Sequence, residues 1–145
     1  MRAVIQRVTH AKVRVEGKVI SQIGPGLLIL LGIGPADSEE KALAMAKKIA
    51  AMRIFHDDQD KMNRSVLDCG GEALTVSQFT LYADTRKGNR PSFMNAAPPD
   101  MAASLVDRFV VLLNDQGVPT KKGEFGAAMQ VELENDGPVT IILEI

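Results

Sequence analysis

The chain has 145 residues, 46% of them hydrophobic and 24% charged, with a formal net charge of −1 at neutral pH. This is the profile of a soluble folded protein able to bury roughly two-thirds of its unfolded surface without a disulfide or a metal. It excludes a disordered chain and a broadly basic nucleic-acid binder, so any RNA contact has to come from a local patch.

From the N-terminus, alternating apolar residues predict strands over 2–8, 11–16 and 18–23. After the turn Gly24-Pro25-Gly26, the run LLILLGI lacks alternation and suits a strand covered on both faces. Asp37 then reads as a helix N-cap with Glu40 three residues on, and SEEKALAMAKKIAAMRIF carries Leu43, Ala46, Ile49 and Ala50 at helical spacing. Residues 57–65 form a polar loop, and EALTVSQFTLY, 72–82, returns to strand character. An irregular stretch leads to a second helix, opened by Pro98, Pro99 and Asp100 and running to about Asn114, with Leu105, Phe109, Leu112 and Leu113 on one side. Two alternating runs, 129–133 and 139–145, flank Asn135-Asp136-Gly137-Pro138 and predict a hairpin with an Asp-Gly turn, although Pro138 fits a regular ladder poorly. No repeat or linker interrupts this order. One α/β domain over 1–145 is expected, with layered β/β/α architecture, mixed but largely antiparallel sheets and two main helices.

Several familiar chemistries fit badly. Gly32 and Gly34 imitate the start of a dinucleotide fingerprint, but the third glycine position is Asp37, whose charge would repel a pyrophosphate. Asp57, Asp58 and Asp60 lack the sixth-position glycine and twelfth-position glutamate of a calcium loop. The single cysteine, Cys69, excludes an internal disulfide framework and suits a reducing compartment. Neither His10 nor His56 stands in a recognisable pairing with it or with a serine. No metal and no cofactor are expected. The N-terminal segment alternates rather than forming a signal-type apolar stretch, and no apolar run approaches the ~20 residues that span a bilayer, so a cytoplasmic location without membrane contact is expected.

Two polar spots remain. Ser77, Gln78 and Thr80 interrupt an otherwise apolar strand, and Arg86, Lys87 and Arg90 crowd the glycine-containing loop after it. Farther on, Gly123 and Gly126 bracket Phe125, an aromatic that can stack on a base or simply pack.

Taken in order, VSQFTLYAD, RKGNRPSF, GEFGAAMQV and the terminal NDGPVT resemble the D-aminoacyl-tRNA deacylase family, also called D-tyrosyl-tRNA deacylases. The likeness extends over MRAVIQRV, GPGLLILLGIG, RIFHDDQDKMNRSV and AAPPD, and so over essentially the whole chain. The resemblance implies a C2 homodimer with active sites at the subunit interface, hydrolysing the ester between a D-amino acid, or achiral glycine, and the terminal adenosine of tRNA. It implies that Ser77, Gln78, Phe79 and Thr80 carry the chemistry. It further implies that Gly137-Pro138 is a cis peptide projecting into the partner's active site to reject L-amino acids. Phe125, Arg86, Lys87 and Arg90 are the candidates for holding the terminal adenosine and nearby phosphates.

The chemistry asks little of side chains. An aminoacyl ester is already activated, so hydrolysis needs an oriented water and donors for the developing oxyanion, with backbone N–H groups around Gln78 and Phe79 as candidates. The family suggests help from the tRNA's own 2′-hydroxyl. The competing route makes Thr80 a covalent nucleophile assisted by Ser77 or Gln78. A reading from another class is a non-catalytic dimeric RNA- or ligand-binding module on the same fold.

Overall fold

The computed structural model describes residues 1–145. Its backbone is one strand of unusual length serving three neighbours. β1 (Arg2–Val15) pairs antiparallel with β3 (Gly26–Gly32) through residues 2–8 and with β2 (Lys18–Ile23) through residues 11–15. Along its other edge, β8 (Met129–Glu144) pairs antiparallel over almost the whole of β1. β6 (Glu72–Ser77) and β7 (Thr120–Lys122) extend the sheet beyond β3 in parallel, and β4 (Phe55–His56) with β5 (Met62–Arg64) makes a small separate ribbon.

Two apolar clusters define the layers. On one face Ile5, Leu27, Ile29 and Leu31 pack with Met45 and Ile49 of α1 (Glu39–Ala50) and Phe109 and Leu113 of α2 (Pro99–Asp115). On the other, Val8, Ala11 and Val13 fold over Leu28, Leu74 and Val76, with Met129, Val131 and Leu133 alongside. Strand β3 lies between the clusters, which is why its sequence is apolar without alternation. The expected mixed sheet and two helices are therefore present.

Four local expectations differ from the structure. Residues 2–8 and 11–16 belong to one strand; register shifts between Gln6 and His10 bend β1 from one layer into the other, and the bend imitates a boundary. Asp37 does not cap α1. Ser38 occupies the N-cap position, and the Asp37 carboxylate instead accepts hydrogen bonds from the Met1 ammonium at 2.6 Å and the Gly34 N–H at 2.7 Å. The strand predicted to reach Tyr82 stops at Ser77 and gives way to a 3₁₀ turn, Phe79–Tyr82, so Gln78 and Thr80 do not lie on a strand.

The fourth difference concerns the C-terminus. There is no hairpin: both alternating runs belong to β8 and pair with β1 in the same direction. Val8 faces Asn135 and Gln6 faces Thr140, so four residues of β8, Asp136 to Val139, stand against Arg7 alone. The Asp-Gly-Pro segment is an oversized bulge, and beyond it β8 pairs with β1 again in a shifted register.

Candidate active site

The bulge is held shut by its neighbours. Asn135 Oδ1 accepts from Val139 N–H at 2.7 Å, while Asn135 Nδ2 donates to Gln6 Oε1 at 3.0 Å and to Thr140 Oγ1 and Val139 O, each at 3.2 Å. The first and last residues of N-D-G-P-V-T thus clamp the excursion. Arg7, 2% exposed, fills the gap beneath: Nε donates to Asp136 O at 3.0 Å and lies 3.1 Å from Asp136 Oδ2, and Nη1 donates to Ile54 O at 2.6 Å. Its guanidinium also sits 5.9 Å from the Phe55 ring centroid. Gly137 has φ of +137°, and a Cβ there would lie 2.7 Å from Val139 Cγ2 and 3.2 Å from Arg7 Nη2, so only glycine fits. The Gly137–Pro138 peptide is cis, and both residues are exposed. Arg7 was not singled out by sequence, where it reads as one charged residue on an alternating strand. A buried arginine opposite an over-long partner segment becomes visible only once the register is known.

At the opposite end of β6 the second motif opens a cavity of about 580 Å³. Its walls are largely apolar, including Leu31, Ile33, Ala102, Val106, Met129 and Val131. Ser77, Gln78 and Phe79 line one side, and Phe93 and Phe125 add aromatic surface. Phe79 and Phe93 meet edge to face with centroids 5.0 Å apart, leaving Phe79 56% exposed at the mouth. Phe125 is also partly open to solvent. Such a volume and lining suit an organic ring system with a small polar end.

The polar groups of this turn are arranged without a base. Gln78 N–H is engaged with Leu31 O at 2.8 Å, which removes it as a free oxyanion donor. The amides of Phe79 and Thr80 begin the 3₁₀ turn, where N–H groups have no acceptor within the turn. Thr80 Oγ1 accepts a hydrogen bond from Gln78 Nε2, and no histidine or carboxylate stands ready to take the Thr80 proton. Ser77 makes no side-chain hydrogen bond and is half-buried on the cavity wall.

Behind the turn runs a charged network. Arg2 Nη1 donates to Leu81 O at 3.1 Å, its guanidinium lies 4.6 Å from the Tyr82 ring centroid, and Tyr82 Oη reaches Asp37 Oδ2 at 3.4 Å. Burial and the Asp37 charge push the Tyr82 phenol up to about 12. Burial alone would raise Asp37 as well, but hydrogen bonds from the Met1 ammonium and Gly34, with that ammonium's charge and Lys41, hold its carboxyl below the usual range.

The three basic candidates are not equivalent. Asp84 and Ser92 bridge each other through both backbone pairs, closing the loop that carries Arg86, Lys87 and Arg90. Arg86 is held by Asp84, Nε at 2.9 Å from Oδ1, and the hydrogen bonds from Arg86 depress the Asp84 carboxyl well below the ordinary carboxylate range. Lys87 and Arg90 make no ion pair and are exposed. Elsewhere, the Asp57 carboxylate accepts the N–H groups of Gln59 and Lys61, so that acidic loop is organised around its own turn. No helix is long and apolar enough to cross a membrane.

Within one chain the two motifs do not meet: no residue of 135–140 lines the cavity beside Ser77 to Phe79. The structure brings Ser77, Gln78, Phe79 and Phe125 together and leaves Gly137 and Pro138 on a separate surface.

Comparison with known proteins agrees with the motifs. A family described as D-Tyr-tRNA(Tyr) deacylase matches residues 4–144. A D-aminoacyl-tRNA deacylase of Roseiflexus castenholzii is 61% identical over 99% of this chain and 92% of its own length. One of Deinococcus deserti is 59% identical over 100% of this chain and 99% of its own. A solved structure described as a c-Myc DNA Unwinding Element Binding Protein superposes with a TM-score of 0.93 at 44% identity, covering 100% of this chain and 99% of that one. Another, described as a "probable eukaryotic D-amino acid tRNA deacylase", has a TM-score of 0.85 at 19% identity over 99% of this chain and 98% of its own, and shares the fold. By its family match and its full-length relatives, this chain belongs to the D-aminoacyl-tRNA deacylases, which are hydrolases.

Proposed function

We propose that the protein acts as a C2 homodimer in the cytoplasm, hydrolysing D-aminoacyl and glycyl esters of tRNA, and that each subunit's Gly137-Pro138 bulge screens the substrate in its partner's cavity. One observation carries this reading: a rigid, exposed bulge stands apart from the cavity of its own chain, so only a second copy can bring the two motifs together. Two-fold symmetry makes such an exchange reciprocal, completing both sites at once.

The selectivity follows from shape. D and L esters carry the same groups and differ in the directions in which side chain and hydrogen leave the α-carbon. Backbone oxygens fixed against that carbon reject a side chain pointing at them and tolerate a hydrogen. Glycine presents hydrogen both ways and passes. The device therefore excludes L residues and does not read D side chains.

For the chemical step, water attacks the ester carbonyl, and the Phe79 and Thr80 amides stabilise the oxyanion. Collapse of the tetrahedral intermediate expels the ribose oxygen, which takes a proton as the amino acid leaves as its carboxylate. The tRNA's own 2′-hydroxyl is the assisting group in this reading, since the cavity provides no side-chain base. The Thr80 hydroxyl, already accepting from Gln78, has no group to receive its proton, which favours water over a covalent threonine ester. Phe125 and Phe79 offer ring faces for the terminal adenine, and Lys87 and Arg90 offer charge for phosphates. A binding module has no need of an amide-lined turn beside a cavity of this kind, and it would hold charged tRNA without cleaving it.

The test is hydrolysis of D-tyrosyl-tRNA by wild type and Thr80→Ala. Turnover by wild type and retention of most of it in Thr80→Ala is expected. Loss of several orders of magnitude with intact binding would establish the threonine as nucleophile, and retention of uncleaved ester by wild type would establish the binding module.

A further inference from the structure

A second cavity, of about 560 Å³, lies on the far side of the same wall. The 3₁₀ turn presents Phe79 to the first cavity and Tyr82 to the second. Segment 93–97 is shared likewise, with Phe93, Ala96 and Ala97 on the first and Asn95 on the second. Three rises of about 2.0 Å separate Phe79 from Tyr82 along the turn, roughly 6 Å. The two cavities are therefore neighbours along one edge.

Their chemistries differ. The first is apolar. The second is walled by Arg2, Tyr82, Asp84, Thr85, Arg86 and Asn95. Asp84 and Glu144 each engage one of the two guanidiniums, so the cavity is not strongly basic. That balance disfavours a multiply charged free phosphate, while Arg2 Nη2 and Arg86 Nη1, which make no hydrogen bond within the chain, remain as donors for a singly charged phosphodiester. The Thr85 hydroxyl and the Asn95 amide make no hydrogen bond within the chain, although Asn95 carries both donors and an acceptor. An exposed, unengaged amide lining the same cavity as a guanidinium can serve a nucleobase edge and its phosphate.

We infer that this second cavity binds the nucleotide preceding the terminal adenosine, with its phosphodiester against Arg86 and Arg2 and its base edge on Asn95 and Thr85. The inference rests on the deacylase reading above, since it takes the first cavity to hold the aminoacylated adenosine. A ribonucleotide chain leaving the first cavity over the 3₁₀ turn enters the second after one nucleotide step. The arrangement gives the enzyme a grip on RNA as opposed to a free aminoacyl nucleoside, and it uses residues other than those screening the amino acid.

The experiment compares two D-tyrosyl esters, one of adenosine and one of the dinucleotide cytidylyl-adenosine, with wild type and with the double variant Thr85→Val/Asn95→Ala. Wild type is expected to show kcat/KM about ten-fold or more higher for the dinucleotide ester, mainly through KM. In the double variant that ratio is expected to fall several-fold toward unity. Equal kcat/KM for the two esters with wild type, or an unchanged ratio in the double variant, overturns the second subsite while leaving the deacylase reading in place. Hydrolysis of neither ester above the buffer rate, with D-tyrosyl-tRNA cleaved in parallel, also overturns the subsite, and failure to cleave D-tyrosyl-tRNA as well overturns the deacylase reading.

Discussion

Arg7 on β1 and Asp136 on β8 face each other across the sheet, with Arg7 Nε 3.0 Å from the Asp136 carbonyl and 3.1 Å from its carboxylate. The guanidinium is buried, and it joins the bulge to the Ile54 carbonyl on the other side. A buried charged donor serving one buried carbonyl and one part-buried carbonyl is stabilising when complete and costly to remove, because the carbonyls lose their partner. Arg7→Met should keep much of the apolar contact and lose these bonds, lowering unfolding free energy by about 2–3 kcal/mol. With the bulge released, hydrolysis of an L-aminoacyl ester should rise roughly ten-fold relative to the D ester, equivalent to ~1.4 kcal/mol of discrimination. A folded Arg7→Met protein with an unchanged D-to-L ratio would separate the arginine from selectivity.

Asp37 should report on acid stability. Its folded carboxyl titrates below the ordinary 3.8, so its stabilising contribution is present above that pH and is lost as pH falls through the folded value. Asp37→Asn leaves the Met1 ammonium buried without a counter-charge and should cost about 3 kcal/mol at neutral pH. Urea unfolding at neutral pH and below pH 4 is expected to show a large wild-type loss on acidification and a smaller one in the variant. Parallel losses would place the acid sensitivity elsewhere.

Tyr82 is the chain's single tyrosine, and there is no tryptophan, so phenolate absorbance reports on it alone. The phenol is expected to ionise near 12 in the folded protein and near 10 in urea. Because the folded value is raised, the neutral phenol contributes stability in full below about pH 10, and that contribution is lost as pH rises through the folded value. Asp37→Asn should lower the folded midpoint, since the Asp37 charge helps raise it. A midpoint near 10 in both states would mean that the network behind the 3₁₀ turn does not hold the ring.

Much of the fold was legible in the sequence, for identifiable reasons. The unbroken apolar run of β3 announced burial on both faces, and Pro98-Pro99-Asp100 announced the start of α2. The misreadings share a cause: local signals overridden by distant partners. Asp37 has the look of a cap, but the Met1 ammonium, distant in sequence at the start of β1, claims its carboxylate. Asp136-Gly137 has the letters of a hairpin turn, yet β1 pairs with the chain on both sides of it and turns it into a bulge. At the site, Ser77, Gln78, Phe79 and Phe125 were legible through their motifs and converge on one cavity. Asn95 and Thr85 belong to no such pattern, because a surface amide and hydroxyl become informative only when a cavity gathers them.

The sequence grouped three cations after Thr85, and their surroundings now divide them. Lys87 and Arg90 are free of ion pairs, whereas Arg86 is engaged by Asp84. Replacing Lys87 or Arg90 with alanine should reduce the slope of log affinity for tRNA against log salt by about 0.7–0.9 for each lost phosphate contact. The loss should be alike for all charged tRNAs, as expected of backbone contacts. An unchanged slope in both variants would make them ordinary surface residues.

In the proposed dimer, a backbone wall from one subunit screens the α-carbon held by the other. The most direct test of that screening is parallel deacylation of D-tyrosyl-, L-tyrosyl- and glycyl-tRNA by the purified wild-type protein, following remaining ester with time. Rapid loss of the D-tyrosyl and glycyl esters with the L-tyrosyl ester spared is expected. Loss of all three at similar rates would contradict the wall while leaving a hydrolase.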